Sequence, residues 1–175
     1  MLRISSAKAC LLASVLTLVG CASSSSSGIE LSVSRGDATS AYAGTYAGTI
    51  SLTSTADVVA LGSATDQRIE SVSVSVPHDG LVYLSVRGVT LTGVVDNAGY
   101  CGLQASIDEL RSLLSETNIS RLNDAGCSLG AKAARIQGVI TPPNMTANVS
   151  GTLKCKRAEV TVATLTTAGT LTANR

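Results

Sequence analysis

The sequence predicts a mainly β fold, an antiparallel barrel or sandwich of about 7–9 strands with one α-helix near residues 107–117. Three observations favour this class. The chain has no Phe and no Trp but is rich in Val, Thr and Ser, a composition that suits strands. Several stretches alternate apolar and polar residues with period two, whereas only one stretch has helical periodicity. A closed or nearly closed barrel is the first expectation, and a two-sheet sandwich is the alternative.

The first half of the chain contains the early strands. Alternation over residues 29–33 indicates a short strand, and residues 45–54 indicate a second one. Residues 55–67 have no clear pattern. Residues 72–76 and 82–86 alternate cleanly, with the aliphatic side chains expected to face inward.

A three-residue hairpin loop is predicted at residues 78–80. Placing Val74 opposite Leu84 gives the two valine-rich strands a common inward face. This register requires a loop with an odd number of residues. Gly80 then occupies the left-handed position of the turn. Gly88 is expected to form a further turn or bulge before another strand over 89–95.

One segment has the signals of a helix. Ser106 and Glu109 have capping-box spacing, and Asp108 and Glu109 suit the positive end of the helix dipole. The helix is predicted from about 107 to 117, with a further turn through Leu122 as an alternative. An apolar stripe should pack it against the sheet; it comprises Leu103, Ile107, Leu110 and Leu114.

The last third returns to strands. Residues 131–141 and 145–155 are predicted to form a hairpin around Pro142-Pro143, and the second of them has the cleanest alternation in the chain. A final strand begins at Val160. Its leucines, Leu165 and Leu171, are out of phase with that start, which predicts a bulge near residues 164–169.

The N-terminal residues have the pattern of an export leader. Arg3 and Lys8 precede a nearly uncharged run over 9–20, which is too short for a permanent membrane span of about 20 residues. The run ends in Leu18-Val19-Gly20-Cys21, and Ala22 and five serines follow.

Leu18-Val19-Gly20-Cys21 resembles the lipobox of bacterial lipoproteins. The resemblance implies a signal peptide over 1–20, fatty acids such as palmitate on Cys21, a Ser-rich tether over 21–28 and a single β-rich domain over 29–175. It implies anchoring in the bacterial cell envelope, at the periplasmic face of the outer membrane, because Ala22 is not acidic. The alternative is an ordinary secretory leader cut after Ala22. The domain is loosely similar to lipocalin-like periplasmic barrels, and this similarity transfers no ligand.

Charge excludes nucleic acid as the expected partner. The chain has 13 basic and 12 acidic residues, and removing Arg3 and Lys8 with the leader leaves a net charge of −1. A basic group remains at Lys154, Lys156 and Arg157. We expect it to form a solvated hairpin tip, and a partner-binding patch is the alternative. The four tyrosines are the only aromatic residues, which argues against a site that stacks sugars or bases.

No residue pattern indicates catalysis, a metal or a cofactor. His78 is the only histidine, and it lies beside Asp79 in an exposed turn, which disfavours a catalytic triad. Asp108, Glu109 and Glu116 fit a solvated helix face better than an acid–base pair. Neither zinc-ligand spacing nor a phosphate-binding glycine loop occurs. We therefore expect a protein that is not an enzyme and holds no cofactor.

The cysteines predict one disulfide, between Cys127 and Cys155. An oxidising periplasm favours pairing. Matching Ile136 to Val149 in the predicted hairpin brings Cys155 close to the chain near Cys127. The alternatives are a Cys101–Cys127 bridge or three reduced thiols.

Two functions remain open. The first is a binding or structural module that the lipid on Cys21 holds at the membrane and that meets an envelope protein. The second is a carrier of an apolar small ligand inside the barrel, because an eight-strand interior can be filled by side chains or hold one ligand.

Overall fold

The structure is a computed structural model that describes residues 32–127, 130 and 132–175. The predicted signal peptide, Cys21, the tether and most of the strand predicted over 29–33 lie outside the described residues. The end of that strand is described, and Ser32 and Val33 belong to no strand, so this part of the prediction is wrong. Every strand of the barrel already has two partners, which leaves Ser32 and Val33 without a strand edge to join.

Eight antiparallel strands form a closed barrel. Each strand pairs with the next along the chain, and the last pairs with the first. The predicted barrel is therefore confirmed, and the sandwich is excluded. The strands are β1 Gly44–Val58, β2 Gly62–Val76, β3 Leu81–Val86, β4 Val89–Val95, β5 Tyr100–Ser106, β6 Lys132–Thr141, β7 Asn144–Arg157 and β8 Val160–Asn174.

Inward side chains fill the barrel with a single apolar core. Along β7 the odd positions from Met145 to Cys155 are buried, except for half-buried Gly151, and most even positions are exposed, in agreement with the predicted alternation. Tyr46 is an aromatic exception in the aliphatic core, and it is fully buried. The largest fully buried side chains are those of Tyr46, Ile50, Leu84, Leu91, Leu103, Ile107, Leu110, Leu122, Ile136, Ile140, Met145 and Leu165.

Both predicted hairpin registers are confirmed. Val74 pairs with Leu84, and Ile136 pairs with Val149. Gly80 has a positive φ of 76°, as the turn prediction requires. The β2–β3 connection is one residue longer than predicted, because it covers residues 77–80. Pro77 has no N–H with which to extend the ladder.

The β1–β2 hairpin is longer than the sequence indicated. Residues 55–67 complete β1, turn and begin β2. The inward positions of β1 there, Ala56 and Val58, are apolar and buried, but those of β2 are half-buried and include Asp66, which hides the alternation. Asp66 and Arg68 share the inward side and form an ion pair at 3.0 Å.

The predicted helix begins where it was expected, but it is not continuous, because two helices occupy the segment. Helix α1 spans Ile107–Leu110 and begins with the predicted capping box. One 3-10 turn follows, and Leu114 is extended. Ser115 then accepts a hydrogen bond from the Asn118 N–H and starts helix α2, Glu116–Asp124. This second N-cap ends the first helix.

The bulge predicted at 164–169 is also misplaced. Cys155 pairs with Ala163 while Lys156 pairs with Thr161, so the extra residue is Val162. Beyond it, Leu165 and Leu171 are in phase and both buried.

Among the described residues, no helix is long and apolar enough to cross a membrane.

The barrel has two distinct ends. The helix end carries α1, α2 and the turns of β1–β2, β3–β4 and β7–β8. The segment end carries residues 32–43, here called the N-terminal segment, with the turns of β2–β3, β4–β5 and β6–β7.

Candidate functional site

Hydrogen bonds attach the N-terminal segment to the turns of the segment end. The Ala38 N–H donates to Asn97 Oδ1 at 2.8 Å. Thr39 is fully buried, and its hydroxyl accepts from the Gly80 N–H at 3.1 Å. The segment therefore caps this end through polar contacts.

His78 lies on the surface of the same end. Its side chain is exposed in the β2–β3 connection, as expected. Asp79 forms an ion pair with Arg35 at 3.6 Å, and the Asp79 carbonyl accepts from Arg35 Nε at 2.6 Å. Asp79 thus binds the N-terminal segment through Arg35.

The predicted disulfide is present at the helix end. Cys127 and Cys155 are bonded, with Cα atoms 5.3 Å apart. The bridge joins the end of the helical region to β7. Cys101 is a free, buried thiol on β5, and burial raises its pKa to about 11. A thiol with this pKa is protonated at neutral pH and is a poor nucleophile.

The carboxylates of the helical region lie at helix starts. Glu109 accepts hydrogen bonds from the Ser106 N–H at 2.7 Å and from Lys132 Nζ at 3.3 Å. Burial raises the pKa of Glu109, but these hydrogen bonds outweigh it, and the net shift is downward. Asp108 and Glu116 are exposed in the first turns of α1 and α2. The three carboxylates therefore stabilise helix starts.

The basic group lies at a hairpin tip, where it was expected. Lys154, Lys156 and Arg157 are exposed at the end of β7. Lys156 forms an ion pair with Glu159 at 3.6 Å.

An open cleft crosses the outer wall of β5–β8 near the segment end. Its volume is about 550 Å³. The backbone of one cross-strand row forms its floor. The side chains of this row point into the barrel, and Gly138 has no side chain. This floor row is Cys101, Gly138, Ala147 and Leu171, each paired with the next.

Two rows of outward side chains form the walls of this cleft, which we call the trough. The amide row comprises Gln137, Asn148 and Thr170. The threonine row comprises Tyr100, Val139, Thr146 and Thr172. Neighbouring members of a row lie on adjacent strands, about 4.8 Å apart. Ser32 and Val33 also line the trough, and Gln137 Nε2 donates to Ser32 Oγ at 3.0 Å.

Gly138 lies in the floor of the trough, where a side chain would point into the barrel beside Ala147. A Cβ at this position would overlap the Thr146 carbonyl oxygen on β7. The absence of a side chain lets β6 and β7 approach closely at this point. Any larger residue would push the two strands apart and change the trough.

A second, smaller cleft runs beside the trough. It has a volume of about 370 Å³, and its lining includes Thr49, Asn144 and Asn174. It shares Thr146 and Thr172 with the trough, so the threonine row is a common wall. Thr49 pairs with Thr172 and extends this row onto β1.

The trough is lined by uncharged polar side chains and apolar ones, with one aromatic ring and one carboxylate among them. Asp96 is the only charged residue among its described lining residues, and its Oδ1 accepts from the Ala98 and Tyr100 N–H groups at 2.8 and 2.9 Å. The Tyr100 side chain is among the most exposed large side chains, with 56% of the residue accessible. Amides and hydroxyls can both donate and accept hydrogen bonds.

Sequence reasoning did not identify these residues as a site. Tyr100, Gln137 and Asn148 lie far apart along the chain, and only the register of β5–β7 brings them together. The available signal was weak: the outward positions near the start of β7 are Asn and Thr, without charged residues.

Comparison with known proteins gives no relative for this chain. No protein-family model matches it, and no curated protein or solved structure is significantly similar to it.

Proposed function

We propose that this protein is a non-catalytic binding module of the bacterial envelope, held at the membrane by lipid on Cys21, that binds its partner on the outer wall of the barrel. The observation that carries the proposal is the contrast between the barrel's two faces. Inside, large aliphatic side chains such as Leu84, Leu103 and Leu165 are 0–1% exposed and pack into one core. Outside, two open clefts cross the described wall.

The filled interior favours this module over a carrier of an apolar ligand. An eight-strand barrel has an interior just wide enough for side chains to fill or for one small ligand. Here the inward rows of every strand contribute to the same core, and Tyr46 adds a fully buried ring. A ligand in the interior would have to displace those side chains.

Lipid attachment is supported by the lipobox-like sequence Leu18-Val19-Gly20-Cys21. The N-terminal segment ends beside β1 at one end of the barrel. A tether that leads into this end leaves the helix end and much of the outer wall accessible. Replacing Cys21 with Ser should abolish incorporation of labelled palmitate and release the chain from membranes.

Native mass spectrometry of the full chain distinguishes the module from the carrier. We expect the mass of the acylated chain with no additional apolar molecule. The Cys21→Ser variant provides the control, because it removes the covalent acyl groups and leaves only molecules bound in the barrel. An apolar small molecule that remains bound to this variant would contradict the proposal.

A further inference from the structure

We propose that the trough on β5–β8 binds a neutral saccharide. This inference rests on the proposed function, because it assigns a ligand class to the outer wall. The volume of the trough lies within the range of about 300–1,000 Å³ found for small-molecule sites.

Four of the polar side chains that line the trough are available to a ligand. Asn148, Thr146, Thr170 and Thr172 are exposed, and their side chains make no hydrogen bond to another described residue. Saccharides present many hydroxyl groups that both donate and accept, which is the same dual capacity as these amides and hydroxyls.

The charge of the trough selects against ionic ligands. The described lining carries no Lys, Arg or His side chain that could pair with a phosphate, a sulfate or a carboxylate. Asp96 is engaged by two backbone N–H groups and adds a negative charge that repels anions. For a cationic ligand, the only counter-charge among the described lining residues is this carboxylate, which already accepts two hydrogen bonds.

Tyr100 supplies the apolar contact that a sugar ring needs. The composition of the chain argued against sugar stacking because aromatic residues are few, yet the structure places one of the four tyrosines at the end of the threonine row. An exposed aromatic face can pack on the C–H face of a ring while the phenol hydroxyl remains solvated.

The row geometry favours an extended chain of sugars over a single one. Asn148 and Thr170 on the amide row face Thr146 and Thr172 on the threonine row across the floor, two residues away along each strand. On β7 and β8 each wall therefore offers two polar groups about 4.8 Å apart, and the walls stand about 6.7 Å apart. A linear oligosaccharide lying across the strands could use both walls in successive rings.

The test is to titrate the full chain with chitotetraose and cellotetraose, two neutral linear tetrasaccharides. Calorimetry and amide NMR shifts measure the binding. We expect binding of at least one of them, with shifts concentrated at residues 137–148 and 170–172. Tyr100→Ala and Asn148→Ala should each weaken binding by about three- to tenfold. Both residues are exposed, so the variants should fold.

The matched controls are Tyr83→Ala, on the outward side of β3, and Asn123→Ala, on α2. Both should bind as the wild type does. Absence of binding by either saccharide, or binding that Tyr100→Ala and Asn148→Ala leave unchanged, would overturn the saccharide assignment. The binding module itself would stand in that case unless an apolar molecule also occupied the interior of the Cys21→Ser chain.

Discussion

The two ends of the barrel are closed by different kinds of interaction. At the helix end, Leu110, Ile119 and Leu122 bury apolar side chains over the core, and a disulfide fixes the end of the helical region to β7. At the segment end, the N-terminal segment is attached mainly by hydrogen bonds to the turns. Apolar burial and a covalent bond stabilise more strongly than a few hydrogen bonds to turns, so the segment end should open more easily.

The largest expected effect is loss of apolar packing at the helix end. Leu122 is fully buried on α2, and Leu122→Ala should lower the free energy of unfolding by about 2–5 kcal/mol. Urea denaturation measures this change. Leu61→Ala is the control, because Leu61 is 52% exposed and its replacement should change stability by less than about 0.5 kcal/mol. Equal losses in the two variants would contradict the packing assigned to α2.

Removing the disulfide should have the next largest effect. The double variant Cys127→Ala/Cys155→Ala should lose about 2–4 kcal/mol, because the bridge closes a long loop in the unfolded chain. Reductant should destabilise the wild type in the same urea experiment. It should leave the double variant unchanged, and equal stability of the oxidised wild type and the double variant would contradict the stabilising role of the bridge.

At the segment end, Asn97→Ala should have a smaller and more local effect. It removes the acceptor of the Ala38 N–H and the donor to Asp37 Oδ1, and should lower stability by about 1 kcal/mol. Hydrogen exchange of the Ala38 amide should accelerate while the amides of α2 keep their protection. The same substitution at exposed Asn123 should alter neither. Accelerated exchange over α2 in Asn97→Ala would show that the two ends open together.

The smallest effect should be the pH dependence of the capping box. The pKa of Glu109 in the folded chain lies below its ordinary value of 4.5. Its contribution to stability is therefore present above that value and is lost as the pH falls through the folded pKa. Glu109→Gln should lower stability at pH 7 by less than about 1 kcal/mol, because the pair with Lys132 is partly exposed.

The difference between wild type and Glu109→Gln should shrink as the pH is lowered from 6 to 3. Urea denaturation at a series of pH values measures it. Asp124→Asn removes one negative charge from an exposed position on α2 and controls for net charge. A difference that grows in acid would contradict the capping role of Glu109.

The fold was predictable where a regular alternation met a well-defined turn. The registers of β2–β3 and β6–β7 followed from matching inward aliphatic residues, and the second register led to the Cys127–Cys155 pair. These are local relations between neighbouring strands. A shift of one residue would have turned every inward side chain outward, so the pattern specifies them strongly.

Other features depended on contacts that no local pattern contains. Asp66 and Arg68 face inward because the β1–β2 hairpin extends to the helix end, and their charges masked the strand. Ser115 is a residue type that favours N-caps, but no local pattern distinguishes a second helix start there from continuation of the first helix. The trough required four strands to be placed in register at once.

Closure of the barrel sets how this chain can acquire its structure. Strands β1 and β8 pair along their length, and even their closest partners, Val58 and Ala163, are 105 residues apart. Such distant pairings slow folding, and all-β domains of this kind fold in about milliseconds to seconds. The ring cannot close until the last strand is synthesised, and a chain truncated before Val160 would keep two long open edges, on β1 and β7, that invite aggregation.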